Sequence, residues 1–313
     1  LPALTVDEPT ISMTFQVNSS PFAGNKELSG GKFLTSRQLR ERLTRETLHN
    51  VALRVEETAD PDKFKVSGRG ELHLSILIET MRREGYELAV SRPEVIVREI
   101  DGVLQEPWEQ LVVDMEEAYQ GGVMEKLGTR RGQLKNMEPD GKGRVRLEYM
   151  IPARGLIGFQ TEFRTLTAGT GLMFHVVDHY GPKSEGVIGK RLNGVMISNG
   201  TGPAPAYALW GLQDRGRMLI DAGAQIYEGQ LVGIHAKDND LTVNALRGKQ
   251  LTNVRSSGKD DALTLTPYVN LSLEQALEFI DDDELVEVTP KEIRLRKRYL
   301  TEIDRKRASR QAA

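Results

Sequence analysis

The sequence predicts an α+β protein in which two βαββαβ units precede a β-rich, barrel-like segment that carries a short helix and a charged tail helix. Short runs of alternating apolar residues are separated by segments with apolar residues at helical spacing. The same order of elements occurs twice before residue 184. After that point the apolar runs become shorter and are separated by glycines, which is typical of a β-rich domain.

The first unit, residues 1–94, is organised around a helix that follows Gly68-Arg69-Gly70 and ends before Gly85. Its first turn carries Glu71, which suits the positive end of the helix dipole. We expect Leu72 and Ile76 to lie in the core beneath this helix. The other predicted elements are a strand at Ile11–Asn18, a helix capped by Thr35 or Ser36, and strands at Val51–Glu57, Phe64–Val66 and Tyr86–Val90.

The second unit, residues 95–183, repeats this order. Its predicted elements are strands at Glu109–Met115, Gln133–Met137, Arg144–Met150 and Met173–Val177, a helix opened by Gly121-Gly122, and a helix with the apolar stripe Leu156, Phe159, Phe163 and Leu166. The order βαββαβ is that of the ferredoxin-like arrangement. An Arg-Gly pair precedes the second helix of each unit, at Arg69-Gly70 and Arg154-Gly155, and we interpret both glycines as sites of close helix–sheet packing.

The third unit, residues 184–313, contains the β-rich segment. Its predicted strands are Val195–Ser198, Ala206–Trp210, Ala224–Tyr227, Leu231–His235, Leu241–Leu246, Leu263–Leu265, Glu284–Val288 and Glu292–Leu295. Ser272-Leu273-Glu274-Gln275 is a capping-box pattern and predicts a helix. A tail helix is expected after Thr301.

Composition narrows the classes of function. The 313 residues include no cysteine, so we expect neither disulfides nor a cysteine-based metal site. The net charge is −3, so any nucleic-acid binding would have to come from local clusters of basic residues. No run of about 18 apolar residues or signal-peptide pattern occurs. The opening Leu1-Pro2-Ala3-Leu4 resembles a linker, so the chain is expected to be the C-terminal part of a longer protein.

We expect no catalytic site, nucleotide site or metal site in this chain. No complete P-loop pattern is present, and Gly189-Lys190-Arg191 lacks the hydroxyl residue after the lysine. His175 and His179 are four residues apart, but on a strand that spacing separates them by roughly 13 Å. No G-x-S-x-G nucleophile elbow occurs.

Basic and polar side chains between His235 and Lys259 are the strongest candidates for contact with RNA. They combine cations with amides and lack aromatic neighbours, which suits phosphate and 2′-OH contacts rather than base stacking. An exposed loop without a partner is the alternative interpretation. The candidate residues are Lys237, Asn239, Asn244, Arg247, Lys249, Asn253, Arg255 and Lys259.

Two further basic groups have a role that the sequence leaves open. Arg69, Arg130, Arg131, Lys135 and Arg154 are candidates for contact with rRNA or with another domain. The basic segment Lys291–Arg310 follows the acidic segment Glu274–Glu287, and its charge is expected either to pair with that segment across the last two strands or to bind RNA.

Several of these motifs resemble those of translational GTPases. Ser67–Leu74 with Arg92-Pro93-Glu94-Val95 resembles the third domain of the elongation-factor-G type, and Ala153–Gly158 resembles the fifth domain of the same type. The large fourth domain is missing between Ile100 and Gln105, which leaves the LepA and BipA/TypA families. The motifs Asn239–Asn244 and Leu273–Val288 resemble the BipA/TypA-specific C-terminal domain.

The resemblance implies a cytoplasmic, ribosome-associated GTPase that uses GTP and Mg²⁺ through an N-terminal domain outside this chain. It implies roles in stress adaptation and large-subunit assembly. The expected partners are the ribosome, through rRNA and A-site tRNA, and the protein's own GTPase domain, with no membrane. In this family the C-terminal domain reaches toward A-site tRNA, and the segment after His235 best resembles the part that does so. The alternatives are a LepA-like arm or a tandem ferredoxin-like module that senses a small ligand.

Overall fold

A computed structural model describes residues 8–186, 188–189, 191–248 and 263–312. These residues form a mixed α+β structure with several sheets, in which nearly all neighbouring strands are antiparallel. None of the helices in these ranges combines the length and the hydropathy needed to cross a bilayer.

The first part of the chain forms a sheet with strand order β4-β1-β3-β2, on which two helices pack. Its elements are β1 (Ile11–Val17), α1 (Ser36–Thr47), β2 (Arg54–Glu57), β3 (Lys63–Gly68), α2 (Glu71–Glu84), β4 (Leu88–Val90) and β5 (Glu94–Val95). Thr35 is the N-cap of α1 and forms a capping box with Gln38, as its sequence predicts. Gly85 ends α2 with φ of 100°, a left-handed conformation that favours glycine.

The buried face of α2 differs from the predicted one. Leu74, Leu77 and Ile78 are buried in the core, whereas Leu72 and Ile76 are 64% and 57% exposed. The prediction that Leu72 and Ile76 lie in the core was therefore wrong. Apolar residues occur on more than one side of this helix, so periodicity alone does not decide which side rests on the sheet.

The second part of the chain forms a sheet with strand order β10-β7-β9-β8. Its elements are β6 (Arg98–Ile100), β7 (Val103–Glu116), α3 (Gln120–Thr129), β8 (Gln133–Pro139), β9 (Arg144–Pro152), α4 (Ala153–Leu156), α5 (Phe159–Leu166) and β10 (Leu172–Pro182). The single helix predicted around Phe159 is two helices, because Gly158 has φ of 72° and interrupts it.

The two Arg-Gly pairs serve different purposes. A Cβ atom on Gly155 would lie 2.6 Å from the carbonyl oxygen of Arg130, so close packing does require glycine there. A Cβ atom on Gly70 would meet no atom within 4 Å. In the first unit it is Gly68 that packs closely, since a Cβ atom there would lie 2.8 Å from His73 Nδ1. The packing interpretation is therefore correct for Gly155 and wrong for Gly70.

The third part begins with short strands around one helix. Its elements are β11 (Val195–Ser198), β12 (Gly202–Pro203), α6 (Ala206–Leu212), β13 (Gly216–Met218), β14 (Gln225–Ile226), β15 (Leu231–His235), β16 (Leu241–Val243), α7 (Leu273–Phe279), β17 (Glu284–Val288), β18 (Ile293–Lys297) and α8 (Glu302–Ala312).

The sheets of this part do not form the predicted barrel. Strands β13-β15-β11-β16 form an open four-stranded sheet, and β12 pairs with β14, so no closed barrel exists among the described residues. The strand predicted at Ala206–Trp210 is helix α6, which follows Pro205 and buries Ala208 and Leu209. No strand forms at Leu263–Leu265. Both errors arise because short apolar runs are ambiguous between helix, strand and coil.

The last two strands extend the sheet of the first unit. β17 pairs with β4, with Val286 opposite Val90 and Val288 opposite Leu88, and β18 lies outside it. The sheet therefore runs β18-β17-β4-β1-β3-β2. Val286 and Val288 belong to the same apolar core as Phe15 and Leu88. A hairpin near the chain's end thus shares its core with the first sheet.

A buried polar network lies at this junction. Glu287 is fully buried on β17 and accepts hydrogen bonds from Ser20 Oγ at 2.7 Å, from Asn18 Nδ2 at 3.1 Å and from the hydroxyl of Tyr227. Arg294 of β18 lies 3.4 Å from the same carboxylate. Burial and the neighbouring Glu287 raise the pKa of Tyr227 well above its ordinary value. The network joins three separate segments of the chain around one carboxylate.

Part of the basic C-terminal segment pairs within the molecule. Lys297 contacts Glu284 across the strand pair at 3.0 Å, and Arg294 contacts Glu287. The expectation of pairing with the acidic segment is therefore met for these two residues, which are unavailable to RNA because they are buried.

Replacing Leu74 by Ala should lower the free energy of unfolding by about 2–5 kcal/mol, because it removes a fully buried side chain and leaves a cavity. The matched Ile76→Ala variant of the same helix should change it by less than about 0.5 kcal/mol, since Ile76 is exposed. Urea unfolding monitored by circular dichroism measures both. Equal losses would show that α2 rests on a different face.

Glu287→Ala should cost about 3–5 kcal/mol of unfolding free energy, because it leaves the guanidinium of Arg294 and several buried donors without their shared partner. Glu292→Ala, on an exposed residue between the same two strands, should change stability by less than about 0.5 kcal/mol. Denaturant titration of the two variants separates these outcomes. A Glu287→Ala variant as stable as Glu292→Ala would contradict the role assigned to the network.

Candidate nucleic-acid interface

A tight turn between β15 and β16 presents the first of the predicted RNA-binding residues. Lys237 and Asn239 are exposed on this turn. The turn is held to the start of β11, because Gly194 N donates to the carbonyl of Lys237 at 2.8 Å and Val195 N donates to Asp240 Oδ1 at 2.9 Å. His235 Nδ1 lies 2.6 Å from the carbonyl oxygen of Asn239. The backbone that carries Lys237 and Asn239 is therefore fixed from both sides.

Two features explain this close fit. A Cβ atom on Gly194 would lie 2.1 Å from the carbonyl oxygen of Asn239, so only glycine lets the turn approach β11. Lys297, almost fully buried, places its Nζ 2.6 Å from Asp240 Oδ2 and 3.0 Å from Glu284 Oε1. Burial opposes the charge of Lys297, but the surrounding carboxylates outweigh it and hold the pKa of Lys297 well above its usual range. This ion cluster anchors the turn to β18.

The next candidates follow β16. Asn244 and Arg247 are exposed, and Asn244 Oδ1 accepts a hydrogen bond from Leu246 N at 3.0 Å, which shapes the turn. β16 itself runs parallel to β11, with Leu241 opposite Met196. The remaining candidates lie outside the described residues; these are Lys249, Asn253, Arg255 and Lys259. Their role stays a prediction.

The structure adds two cations that the sequence did not single out. Arg215 and Arg217 are exposed at the start of β13, which pairs with β15 so that Gly216 lies opposite His235. The carbonyl of Arg215 accepts a hydrogen bond from Ala236 N at 2.9 Å, next to Lys237. The alternation Arg215-x-Arg217 was the feature of the sequence that could have indicated two exposed cations on one short strand. Only the pairing of β13 with β15 places these arginines beside the Lys237 turn.

Arg130 and Arg154 make contacts inside the molecule. Arg130 donates to the carbonyls of Gly155 and Ile157 at 2.8 and 2.9 Å and pairs with Glu162 at 3.0 Å. Arg154 lies 2.6 Å from Glu106, which is fully buried. These arginines hold α3, α4 and the residues after β10 together, so their charges are already compensated within the protein.

The other three candidates of that group are exposed at separate positions. Arg69 precedes α2, Arg131 follows α3 with φ of 65°, and Lys135 lies on β8. Lys135 Nζ donates to Gln133 Oε1 at 3.3 Å. They belong to two different sheets and remain candidates for contact with rRNA or another domain.

The two neighbouring histidines bind different carboxylates. His175 Nδ1 lies 2.5 Å from Glu109, which raises the pKa of His175 against the effect of burial. His179 Nδ1 lies 2.6 Å from Asp178. Among the described residues, no group of three or more His, Cys, Asp or Glu side chains is placed to hold a metal ion.

Two family models match the chain. Residues 103–190 match the elongation factor G C-terminus, and residues 193–302 match the TypA/BipA C-terminal domain. The second match contains β11 to β18, and with them the Lys237 turn, Arg215 and Arg217.

Curated relatives match almost the whole chain. A protein of Haemophilus influenzae called large ribosomal subunit assembly factor BipA is 66% identical over 310 residues, which is 99% of this chain and 50% of that protein. Proteins of the same name from Salmonella typhimurium and Escherichia coli K12 are 65% and 64% identical over the same length. The chain spans about half the length of the curated relatives that it matches.

These matches define a protein with a translation-factor domain of the elongation factor G type. With the TypA/BipA-specific domain at residues 193–302 and relatives of 64–66% identity, the chain belongs to the BipA/TypA family. The LepA-like alternative does not account for the TypA/BipA-specific domain.

Gly194→Ala should lower the free energy of unfolding by about 1–3 kcal/mol and loosen the Lys237 turn, because the added methyl group would overlap the carbonyl of Asn239. Gly211→Ala in α6, where a Cβ atom meets nothing within 4 Å, should leave stability unchanged or raise it by up to about 1 kcal/mol. Urea unfolding, with hydrogen exchange of the amides at 236–240, measures both effects. Equal protection of these amides in the two variants would contradict the assigned fit.

Proposed function

We propose that this chain is the ribosome- and RNA-binding part of a BipA/TypA translational GTPase that acts in assembly of the large ribosomal subunit and in translation under stress. The observation that carries the proposal is the identity of 64–66%, over 99% of the chain, to proteins named large ribosomal subunit assembly factor BipA. The elongation factor G C-terminus model at residues 103–190 adds to it, because that domain type belongs to a ribosomal factor.

The proposed RNA-binding surface consists of Arg215, Arg217, Lys237 and Asn239, which we call the β13–β15 surface. Its residues are exposed. Their backbone is held by the contacts of Gly194 N with Lys237, of Ala236 N with Arg215 and of His235 with Asn239, and by the pairing of β13 with β15. Cations and amides on a fixed backbone suit phosphate and 2′-OH groups, which fix the register of a protein on RNA. We infer that the surface reaches toward A-site tRNA and nearby rRNA. Asn244, Arg247, Lys249, Asn253, Arg255 and Lys259 remain further candidates for contact with RNA.

The proposal also assigns a type to each domain of this chain and places GTP hydrolysis elsewhere in the full-length protein. Residues 1–94 and 95–183 are proposed to be ferredoxin-like domains, and the strand orders β4-β1-β3-β2 and β10-β7-β9-β8 support this. Residues 184–313 are the proposed family-specific domain. GTP hydrolysis with Mg²⁺ is assigned to an N-terminal domain outside this chain, with the cytoplasm as its location. That domain would bias the orientation of these units according to its nucleotide state.

Lys237→Ala should make the ribosome affinity of the chain less sensitive to salt, lowering the slope of log affinity against log salt by about 1. Each lysine–phosphate contact releases about one counterion, so Arg215→Ala combined with Lys237→Ala should lower the slope by about 2. Co-sedimentation with ribosomes over a salt series measures these slopes.

Lys26→Ala removes one exposed charge from the first part of the chain and serves as the control, with the wild-type slope expected. A wild-type slope in the double variant would exclude the β13–β15 surface as the RNA contact. A flat salt response of the unmodified chain would contradict the electrostatic mechanism as a whole.

A further inference from the structure

Three helices from distant parts of the chain enclose a cavity of about 270 Å³, which we call the junction cavity. Glu71 and Leu72 come from α2, Thr161 and Arg164 from α5, and Leu277 and Glu278 from α7. These helices belong to the first unit, the second unit and the last part of the chain. An occupant of this cavity would contact all three at once.

Glu71 is the side chain in this cavity that lacks a partner. Its Oε1 atom is completely buried and has no hydrogen-bond donor among the described residues. Buried carboxylate oxygens are otherwise almost always hydrogen-bonded. The neighbouring Glu278 is supported differently, since Thr161 Oγ1 donates to its Oε2 at 2.5 Å. The cavity therefore presents one satisfied carboxyl group and one buried acceptor that needs a donor.

The electrostatic surroundings make this acceptor suited to a cation. Burial, followed by the nearby Glu278, raises the pKa of Glu71 to about 8, and burial raises the pKa of Glu278. Glu109 of β7 also raises the pKa of Glu71, whereas His175 of β10 and Arg92 after β4 lower it. A positive charge next to Glu71 would relieve the repulsion between the two carboxyl groups.

We propose that the junction cavity binds a small aliphatic cation whose primary ammonium group lies between Glu71 and Glu278. An ammonium group carries three donors and no acceptor, so it supplies the hydrogen bond that Glu71 Oε1 lacks without adding an unsatisfied group. Leu72 and Leu277 line the same cavity and offer apolar contact to a short alkyl chain. Arg164, also at the cavity, disfavours a second ammonium group near it.

Such a ligand would act as a clamp between the units. It contacts α2, α5 and α7 only while these helices hold their present arrangement, so its binding free energy stabilises that arrangement by mass action. The arrangement of α2, α5 and α7 would then depend on the concentration of small amines around the protein. This inference does not rest on RNA binding, because none of the residues that line the junction cavity belongs to the β13–β15 surface.

The test uses n-butylamine, which carries a single ammonium group, as the probe and the 313-residue chain. Isothermal titration at pH 6, 7 and 8 should show the apparent Kd falling roughly tenfold per pH unit up to about pH 8, because Glu71 must lose its proton before it pairs with the ammonium. The same titration in buffers of different ionisation heat should show release of about one proton per ligand. Glu109 raises the pKa of His175, and the protonated form of His175 repels a bound cation, so any loss of its proton favours binding.

Glu71→Gln should weaken binding at least tenfold and abolish proton release, and Glu278→Gln should weaken it while the chain stays folded. Glu125→Gln on α3 removes the same charge at an exposed position and should bind as the unmodified chain does. Sodium chloride at matched ionic strength controls for general screening. No heat beyond that of the salt, a pH-independent Kd, or equal binding by Glu71→Gln would each overturn the proposal.

Discussion

The pairing of β17 with β4 is the interaction on which the rest of this structure depends. It joins residue 288 to residue 88 in one sheet, so the last part of the chain completes the core that the first part begins. Glu287, which lies between Val286 and Val288 on β17, must then be buried, and it recruits Asn18, Ser20 and Tyr227 as partners. A buried carboxylate with several donors tolerates little displacement, because any lost hydrogen bond leaves a charge in a low-dielectric interior.

This sheet also fixes the proposed RNA-binding surface. Lys297 lies on β18, the outer strand of the added hairpin, and its ammonium holds Asp240 at the foot of the Lys237 turn. The turn is thus connected through one ion pair to the sheet of the first unit. If the surface binds a phosphate backbone as proposed, little conformational freedom of a loop is lost on binding, and this preserves affinity. The junction cavity uses the same architecture, since α7 reaches α2 only because β17 follows it onto β4.

Sequence reasoning succeeded where the signal is local. The capping boxes at Thr35 and Ser272, the αL glycine at Gly85 and the hairpin of β17 and β18 were predictable because each depends on residues a few positions apart. It failed where a side chain's environment depends on a distant segment. Leu72 and Ile76 have the hydropathy of core residues, yet the sheet contacts the opposite side of α2. The run Ala206–Trp210 looked like a strand because its length was too short to display helical periodicity.

The sequence by itself determined the order of strands and main helices in the first two units, the family, and the acidic and basic segments that pair in the last two strands. Short motifs encode those features, because helix caps, turns and alternating burial each depend on residues that are close together in the chain. Only the tertiary structure decided that the last hairpin belongs to the first sheet, that Arg215 and Arg217 lie beside the Lys237 turn, and that Glu71 is left without a donor. Each of these depends on contacts between residues far apart in the chain. Such contacts form because an unpaired strand edge and an uncovered apolar face are costly in water, and no local pattern specifies which distant segment will cover them.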